Sequence, residues 1–298
     1  MIIVFGSINI DLVANVARIA APGETVLSPS YAVIPGGKGA NQALAARRAG
    51  ARVRLAGAIG RDGFGQQALA LLRADGVDIS AVAQVDAPTG AAFIAVDAAG
   101  ENAIIVAAGA NGLARASQIG TIGAGDILLL QREVPDAQGM AAAFMARQAG
   151  AKVILNLAPA GYVSDEYLSL VDVLVMNEHE ALALGAMHGM HQAAPDEVAA
   201  MLDREMDLSA IVTLGAAGAM AWHLGQRLAF AAPKVDAVDT TAAGDAFVGA
   251  FAAALAAGAE LALALRHGLA GGSLACLTHG AQPSLPSAQA IAGMLARM

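Results

Sequence analysis

Residues 239–247 read Asp-Thr-Thr-Ala-Ala-Gly-Asp-Ala-Phe. Three small residues, Ala242, Ala243 and Gly244, lead into Asp245, and behind it Phe247, Val248, Phe251 and Leu255 recur at helical spacing. Small residues at the mouth of a helix leave backbone N–H groups bare, and with the helix dipole these make a site for an anion. A carboxylate contributes nothing to gripping that anion. It makes sense as a base that takes a proton from a hydroxyl attacking a phosphoryl group. The competing reading is an N-cap aspartate on an ordinary helix, and it yields only if a second such motif lies elsewhere.

That second motif is Gly36-Gly37-Lys38-Gly39-Ala40-Asn41-Gln42-Ala43. A double glycine lets a backbone approach a ligand closely. Asn41, near the start of the helical run Ala40–Ala49, offers both a donor and an acceptor to hydroxyls. The string is not a P-loop, because Gly follows Lys38 where Ser or Thr is needed. No Gly-x-Gly-x-x-Gly string occurs either, which removes a dinucleotide fingerprint.

Outward from these motifs, short apolar runs alternate with helical patterns. Strands are expected at Ile2–Phe5, Val53–Ile59, Asp126–Leu130, Lys152–Asn156, Val173–Met176 and Ala210–Leu214. Helical runs lie at Ala40–Ala49, Gln66–Ala74, Gln138–Ala149 and Asp196–Met206, and later at Ala243–Ala257, Glu260–Leu277 and Ser287–Arg297. Such strands, separated by helices, imply an α/β three-layer sandwich around a mostly parallel sheet. Residues 10–33 and 89–106 break the pattern with short alternating runs, as expected for a small separate β-sheet serving as a lid on a single domain spanning 1–298.

A net charge of −8 and only three lysines argue against nucleic acid or an anionic membrane as partner. Residues 208–226 carry no charge, yet Gly215, Gly218 and Gly225 make them read as strand, turn, strand rather than as a membrane span. The start Met1–Phe5 lacks a basic leader and reaches Asp11 too soon for a secretory signal. One cysteine, Cys276, excludes an internal disulfide and fits a reducing cytoplasm. His188 and His191 have no third ligand nearby, and the adjacent methionines read as packing.

With both motifs in order, the chain resembles the ribokinase-like (PfkB) family of carbohydrate and nucleoside kinases from residue 2 to about 286. Gly6-Ser7-Ile8-Asn9-Ile10-Asp11, Pro22–Val26, Thr89-Gly90, Asn177–Glu180, Thr213–Gly215 and Gly280–Ser284 add to the match. The resemblance implies transfer of the ATP γ-phosphoryl to the 5-hydroxyl of D-ribose, with Asp245 as general base and an anion hole at Ala242, Ala243 and Gly244. It places the sugar on Asn9, Asp11, Gly37, Lys38, Asn41 and Glu133. Two of these have a rival reading: Asp11 as a loop-capping aspartate and Lys38 as a solvated chain.

The resemblance further implies nucleotide contacts at Asn177, Thr213, Gly215 and Gly244. Asn177 and Glu180 would order Mg²⁺ through water, the rival reading being a helix-capping pair. A monovalent cation, K⁺ or similar, is implied at Asp239, Thr241, Ala275, Gly280 and Ser284. Thr278 and His279 need not matter to it. Gly268 stands where relatives carry an Asn or His near the adenine. A homodimer through the β lid is implied as well. Two rival functions remain: a kinase of this fold for a nucleoside or another sugar, and a non-catalytic sugar-binding protein. No aromatic residue adjoins the sugar motifs to wall in a base, and both the base and the anion loop are intact.

Overall fold

The computed structural model describes residues 1–298. Its strands are β1 (Ile2–Phe5), β2 (Asn9–Asn15), β3 (Tyr31–Gly36), β4 (Val53–Gly60), β5 (Asp78–Val85), β6 (Gly90–Val96), β7 (Asn102–Ala107), β8 (Ile127–Leu130), β9 (Lys152–Asn156), β10 (Val173–Asn177), β11 (Ser209–Thr213), β12 (Ala219–His223) and β13 (Gln226–Phe230). The helices are α1 (Lys38–Arg48), α2 (Gly63–Ala68), α3 (Ala70–Ala74), α4 (Asp136–Gln148), α5 (Asp165–Leu168), α6 (Glu178–Met187), α7 (Pro195–Met206), α8 (Ala243–Ala256), α9 (Leu261–Ala275), α10 (Ala281–Ser284) and α11 (Ala288–Leu295).

Nine strands form the central sheet in the order β13-β12-β11-β10-β9-β8-β1-β4-β5. Its interior pairs are parallel, while β12 and β13 add antiparallel at one edge. Buried apolar side chains fill both faces, so two cores lie under two helix layers, giving the expected three-layer α/β sandwich. Chain order reverses beside β1, with β4 on one side and β8 on the other. Ligands in such sheets bind outside the carboxyl ends of strands at that reversal.

All six expected central strands form, within a residue or two of their expected ends. Residues 208–226 are strand, glycine turn, strand, and no helix is long and apolar enough to cross a membrane. Two strands escaped the sequence reading. β5 is an edge strand of mixed small and polar residues, mostly half-buried, and β13 lies at the opposite edge. The run 66–74 is broken at Leu69 into α2 and α3.

Four strands form a second sheet, β3-β2-β6-β7. β6 and β7 are a hairpin, whereas β2 pairs antiparallel with β3 and parallel with β6. β3 continues to Gly36, beyond the expected boundary at 33, and so delivers the chain directly into the Gly37 turn.

The alanine and glycine content has a packing reason rather than being a compositional habit. A Cβ on Gly249 of α8 would stand 2.4 Å from the Ala45 Cβ and 2.9 Å from the Gln42 carbonyl of α1. On the other flank, Gly271 of α9 faces the Ala250 Cβ at 2.8 Å. These helices touch backbone to backbone, which larger residues would prevent. That closeness brings Asn41 and Gln42 against the first turn of α8.

Candidate active site

Three adjoining cavities of about 700, 170 and 620 Å³ run across the carboxyl ends of the central strands. The first holds Asn9, Asp11, Gly37, Lys38, Asn41, Glu133 and Asp245 together. The second, a narrow cleft, is lined by Asn177, Glu180 and Thr213, and shares Lys38, Ala242 and Asp245 with the first. The third includes Thr213, Gly215, Ala243 and Gly244, and is walled by Pro233, Val235, Phe247 and Leu269. Asp245 therefore stands at the junction of a polar cavity and a cleft leading to an apolar one.

The Asp245 carboxylate is 8% exposed, and both its oxygens are held. Asn41 Nδ2 donates to Oδ2 at 2.9 Å and Gln42 Nε2 to Oδ1 at 2.8 Å. Burial pushes its pKa up, the Lys38 charge and these two amides pull it down, and the net direction is upward. Ala242 sits in the left-handed region at φ 59°, unusual for a residue with a Cβ. This strained turn starts α8. The Ala243 N–H bonds the Thr240 carbonyl at 3.2 Å, while those of Gly244 and Asp245 have no protein partner. Of the expected anion-hole donors, then, Ala243 is already occupied, and Ala242 and Gly244 are free.

Lys38 departs from the solvated reading. It is half-buried among carboxylates: burial alone would lower its pKa, but Asp245, Glu133, Glu180 and Asp11 together raise it and keep the ammonium charged. Asp11 shows the converse. Burial first, then the charges of Glu133 and Asp245, push its carboxyl up to about 6 against the opposing effect of Lys38. Glu133 accepts from the Ser7 hydroxyl and from the Lys38 N–H at 3.2 Å, which braces the Gly37 turn. Gly37 adopts φ 91°, and a Cβ there would meet the Asn9 nitrogen at 2.7 Å. Asn41 Oδ1 is buried without a partner, an acceptor aimed at nothing in the protein.

Asn177 and Glu180 form a complete capping box on α6: Asn177 Oδ1 accepts the Glu180 N–H at 2.8 Å, and Glu180 Oε2 accepts the Asn177 N–H at 2.7 Å. Capping and cleft-lining are thus roles of the same pair. One Glu180 oxygen remains for a water-bound divalent ion, and burial raises the Glu180 pKa. Asp239 joins two distant segments by accepting from the Thr241 N–H and the Gly280 N–H, each at 2.8 Å. Burial would raise its pKa, but those bonds outweigh it and hold the group ionised. The Ser284 hydroxyl donates to the Ala281 carbonyl at 2.8 Å, and the Ala275 carbonyl accepts from the Thr278 N–H at 3.4 Å. The exposed His279 ring lies 3.8 Å from the Asp239 carboxylate.

Gly268 does not face the nucleotide-sized cavity. A Cβ there would strike the Phe247 ring at 2.8 Å, and Leu269 is the residue on the cavity wall. Asn111, Gln131 and Asn156 had no sequence signal, whereas Gly90 and Gln42 lie in the matched strings. Asn111 Nδ2 donates to Asn9 Oδ1 at 2.6 Å, and a Cβ on Gly90 would come within 2.3 Å of that same Asn9 oxygen. Gln42, Gln131 and Asn156 form a buried amide cluster behind Asp245. Only their positions next to strand ends or motif residues could have drawn attention to them.

Comparison with known proteins points the same way. Residues 1–288 match the model of the pfkB family carbohydrate kinases. The chain is 38% identical over 292 residues to a ribokinase of Haemophilus influenzae, covering 96% of this chain and 95% of that one. It superposes on the crystal structure of a Thermotoga maritima ribokinase with a TM-score of 0.91 at 34% identity, covering 99% of each chain. An Arabidopsis thaliana ribokinase complexed with ribose and ATP gives a TM-score of 0.88 at 30% identity over 99% of this chain and 98% of that one. Over nearly its whole length, with the acid, the glycine turn and the bare helix start assembled in one cleft, the chain belongs to the pfkB family of carbohydrate kinases.

Proposed function

We propose that the protein phosphorylates the 5-hydroxyl of D-ribose with ATP, giving ribose 5-phosphate and ADP. The observation that carries this reading is the place of Asp245, buried and fixed by two amides on the wall common to the polar cavity and the cleft. Asp11 and Asn41 accept and donate to the ring hydroxyls, with Asn9, Gly37, Lys38 and Glu133 around them. A cis-diol held by the Asp11 carboxylate leaves the primary hydroxyl at the far end of the ring, directed at Asp245. Asp245 takes its proton as the oxygen attacks the γ-phosphorus, the bond to the β-phosphate oxygen breaks, and ADP leaves. The free N–H of Gly244 and the Lys38 ammonium counter the charge on the transferring group.

ATP then occupies the third cavity, with its phosphates near Asn177, Thr213, Gly215 and Gly244. Mg²⁺ bound near Asn177 and Glu180 would supply charge neutralisation on the phosphates. A steady-state ADP-release assay with D-ribose, other pentoses, fructose and nucleosides tests the substrate. D-ribose should give the highest kcat/KM; a nucleoside exceeding it would sink the assignment. One free cysteine suits work in the cytoplasm.

K⁺, or a similar cation, is the activator we assign to Asp239, Thr241, Ala275, Gly280 and Ser284. It touches neither substrate in this reading and stiffens the strained turn before α8. K⁺ should raise kcat at saturating ribose and ATP, Na⁺ should do so less well, and Asp239→Ala should abolish the response. Equal rates in K⁺ and in a bulky organic cation at one ionic strength would refute the site.

The small sheet serves as a lid in this reading, since Ala92, Ile94, Ile104 and Val106 of β6 and β7 wall the sugar cavity. It also pairs two protomers. Its edge strand β7 is exposed throughout, with Ile105 71% accessible, and an apolar open edge invites a second copy. Light scattering should give a dimer; a monomer at every accessible concentration would refute it.

A further inference from the structure

Behind Asp245 lies a chain of buried amides, and the direction of the middle one, Gln42, is fixed from Asn156. Asn156 Nδ2 donates to the Val175 carbonyl at 3.2 Å, so its Oδ1 is the end that accepts from Gln42 Nε2 at 2.9 Å. At the other end of the Gln42 amide, Oε1 accepts from Gln131 Nε2 at 2.7 Å. Gln42 is fully buried and Gln131 is 2% exposed. A flipped Gln42 amide would set its oxygen against both Asn156 Oδ1 and the Asp245 carboxylate. The amide is therefore locked with its N–H toward Asp245. Asn41 and Gln131 differ, because Asn41 Oδ1 and Gln131 Oε1 have no protein partner and those amides can turn over.

A locked donor discriminates between the two forms of Asp245. It bonds the carboxylate, and a protonated carboxyl gains less from it. Gln42 and Gln131 line neither the sugar cavity nor the cleft, so they touch no substrate. We infer that Gln42, held in orientation by Asn156, is a positioning residue that keeps Asp245 ionised and aimed, and so sets the pH at which the kinase begins to work. The inference rests on Asp245 being the base. Other charges face the same carboxylate and set the background: Lys38 from α1, Glu133 beyond β8, Asp11 from β2 and Glu180 at the start of α6. α9 meets α8 through Gly268, Gly271 and Gly272; its Arg266 and His267 line neither the sugar cavity nor the cleft that Asp245 faces.

The test pairs a kinetic with a spectroscopic reading. Gln42→Met keeps volume and removes the donor; Gln131→Met leaves the donor but removes the hydrogen bond at the other end of its amide. The acid limb of kcat against pH should move to higher pH by about one unit or more in Gln42→Met and by less in Gln131→Met. The sugar KM should stay within about threefold, because no sugar contact is lost. ¹³C-carboxyl NMR should report the same upward shift for the Asp245 resonance, identified by its loss in Asp245→Asn. Gln131→Met, which leaves Asp245 its Gln42 neighbour, keeps the test alive if Gln42→Met does not fold. An Asp245 titration unmoved in the folded variants overturns the inference. If the NMR titration moves but the kinetic limb does not, the error lies in Asp245 as the base, and the pH-setting role falls with it.

Discussion

Asp245→Asn should lower kcat by roughly 10²–10⁴-fold or more while leaving the KM for sugar within a few-fold of wild type. The substitution keeps the side chain's shape but removes the only group at the cavity junction placed to accept the hydroxyl proton. It also sets an NH₂ against the donors of Asn41 and Gln42, so one of the two must give. Asn41 can turn over, because its Oδ1 is unpartnered; Gln42 cannot, since Asn156 holds it. Folding should accordingly survive, and circular dichroism with a thermal melt checks that the loss is chemical. A variant with near wild-type turnover would remove Asp245 from the mechanism.

The two motifs that revealed this site are separated by about two hundred residues, and the sequence alone could say only that both exist. Their meeting depends on Gly249, where α8 lies backbone to backbone on α1. Nothing in the residue string marks that glycine as the crossing point. The parallel sheet was legible because β1, β8, β9, β10 and β11 are short, unbroken apolar runs with both faces covered. β5 was not, because an edge strand satisfies its pairing on one side only and tolerates polar residues. The buried amides Asn111, Gln131 and Asn156 were invisible for a different reason: a single amide has no periodicity, and its value lies in partners distant in sequence. The solvated alternative for Lys38 rested on the ordinary state of a lysine, and only the fold surrounds it with four carboxylates.

Asp11→Ala should weaken D-ribose binding by roughly 10²–10⁴-fold, the loss of two hydrogen bonds to a charged acceptor, with ATP affinity little changed. Titration calorimetry with each ligand separates the two. The same carboxylate gives a pH signature. Its pKa is raised to about 6, so the ionised acceptor is present above that pH and is lost as pH falls through it. The KM for ribose in the wild type should therefore rise below pH ~6, and that rise should vanish in Asp11→Asn, whose own KM is high throughout. Unchanged ribose affinity in Asp11→Ala would mean that the sugar lies elsewhere or is not ribose.

The central claim is that Asp245 receives the proton of the primary hydroxyl of a ribose held at its other end by Asp11. Product analysis tests it most directly. The protein incubated with D-ribose and Mg·ATP should yield a single sugar phosphate whose proton-coupled ³¹P NMR signal is a triplet, from the two C5 hydrogens of ribose 5-phosphate. A doublet, which marks a phosphate on C1, C2 or C3, or ADP formed without any phosphorylated sugar, would contradict it.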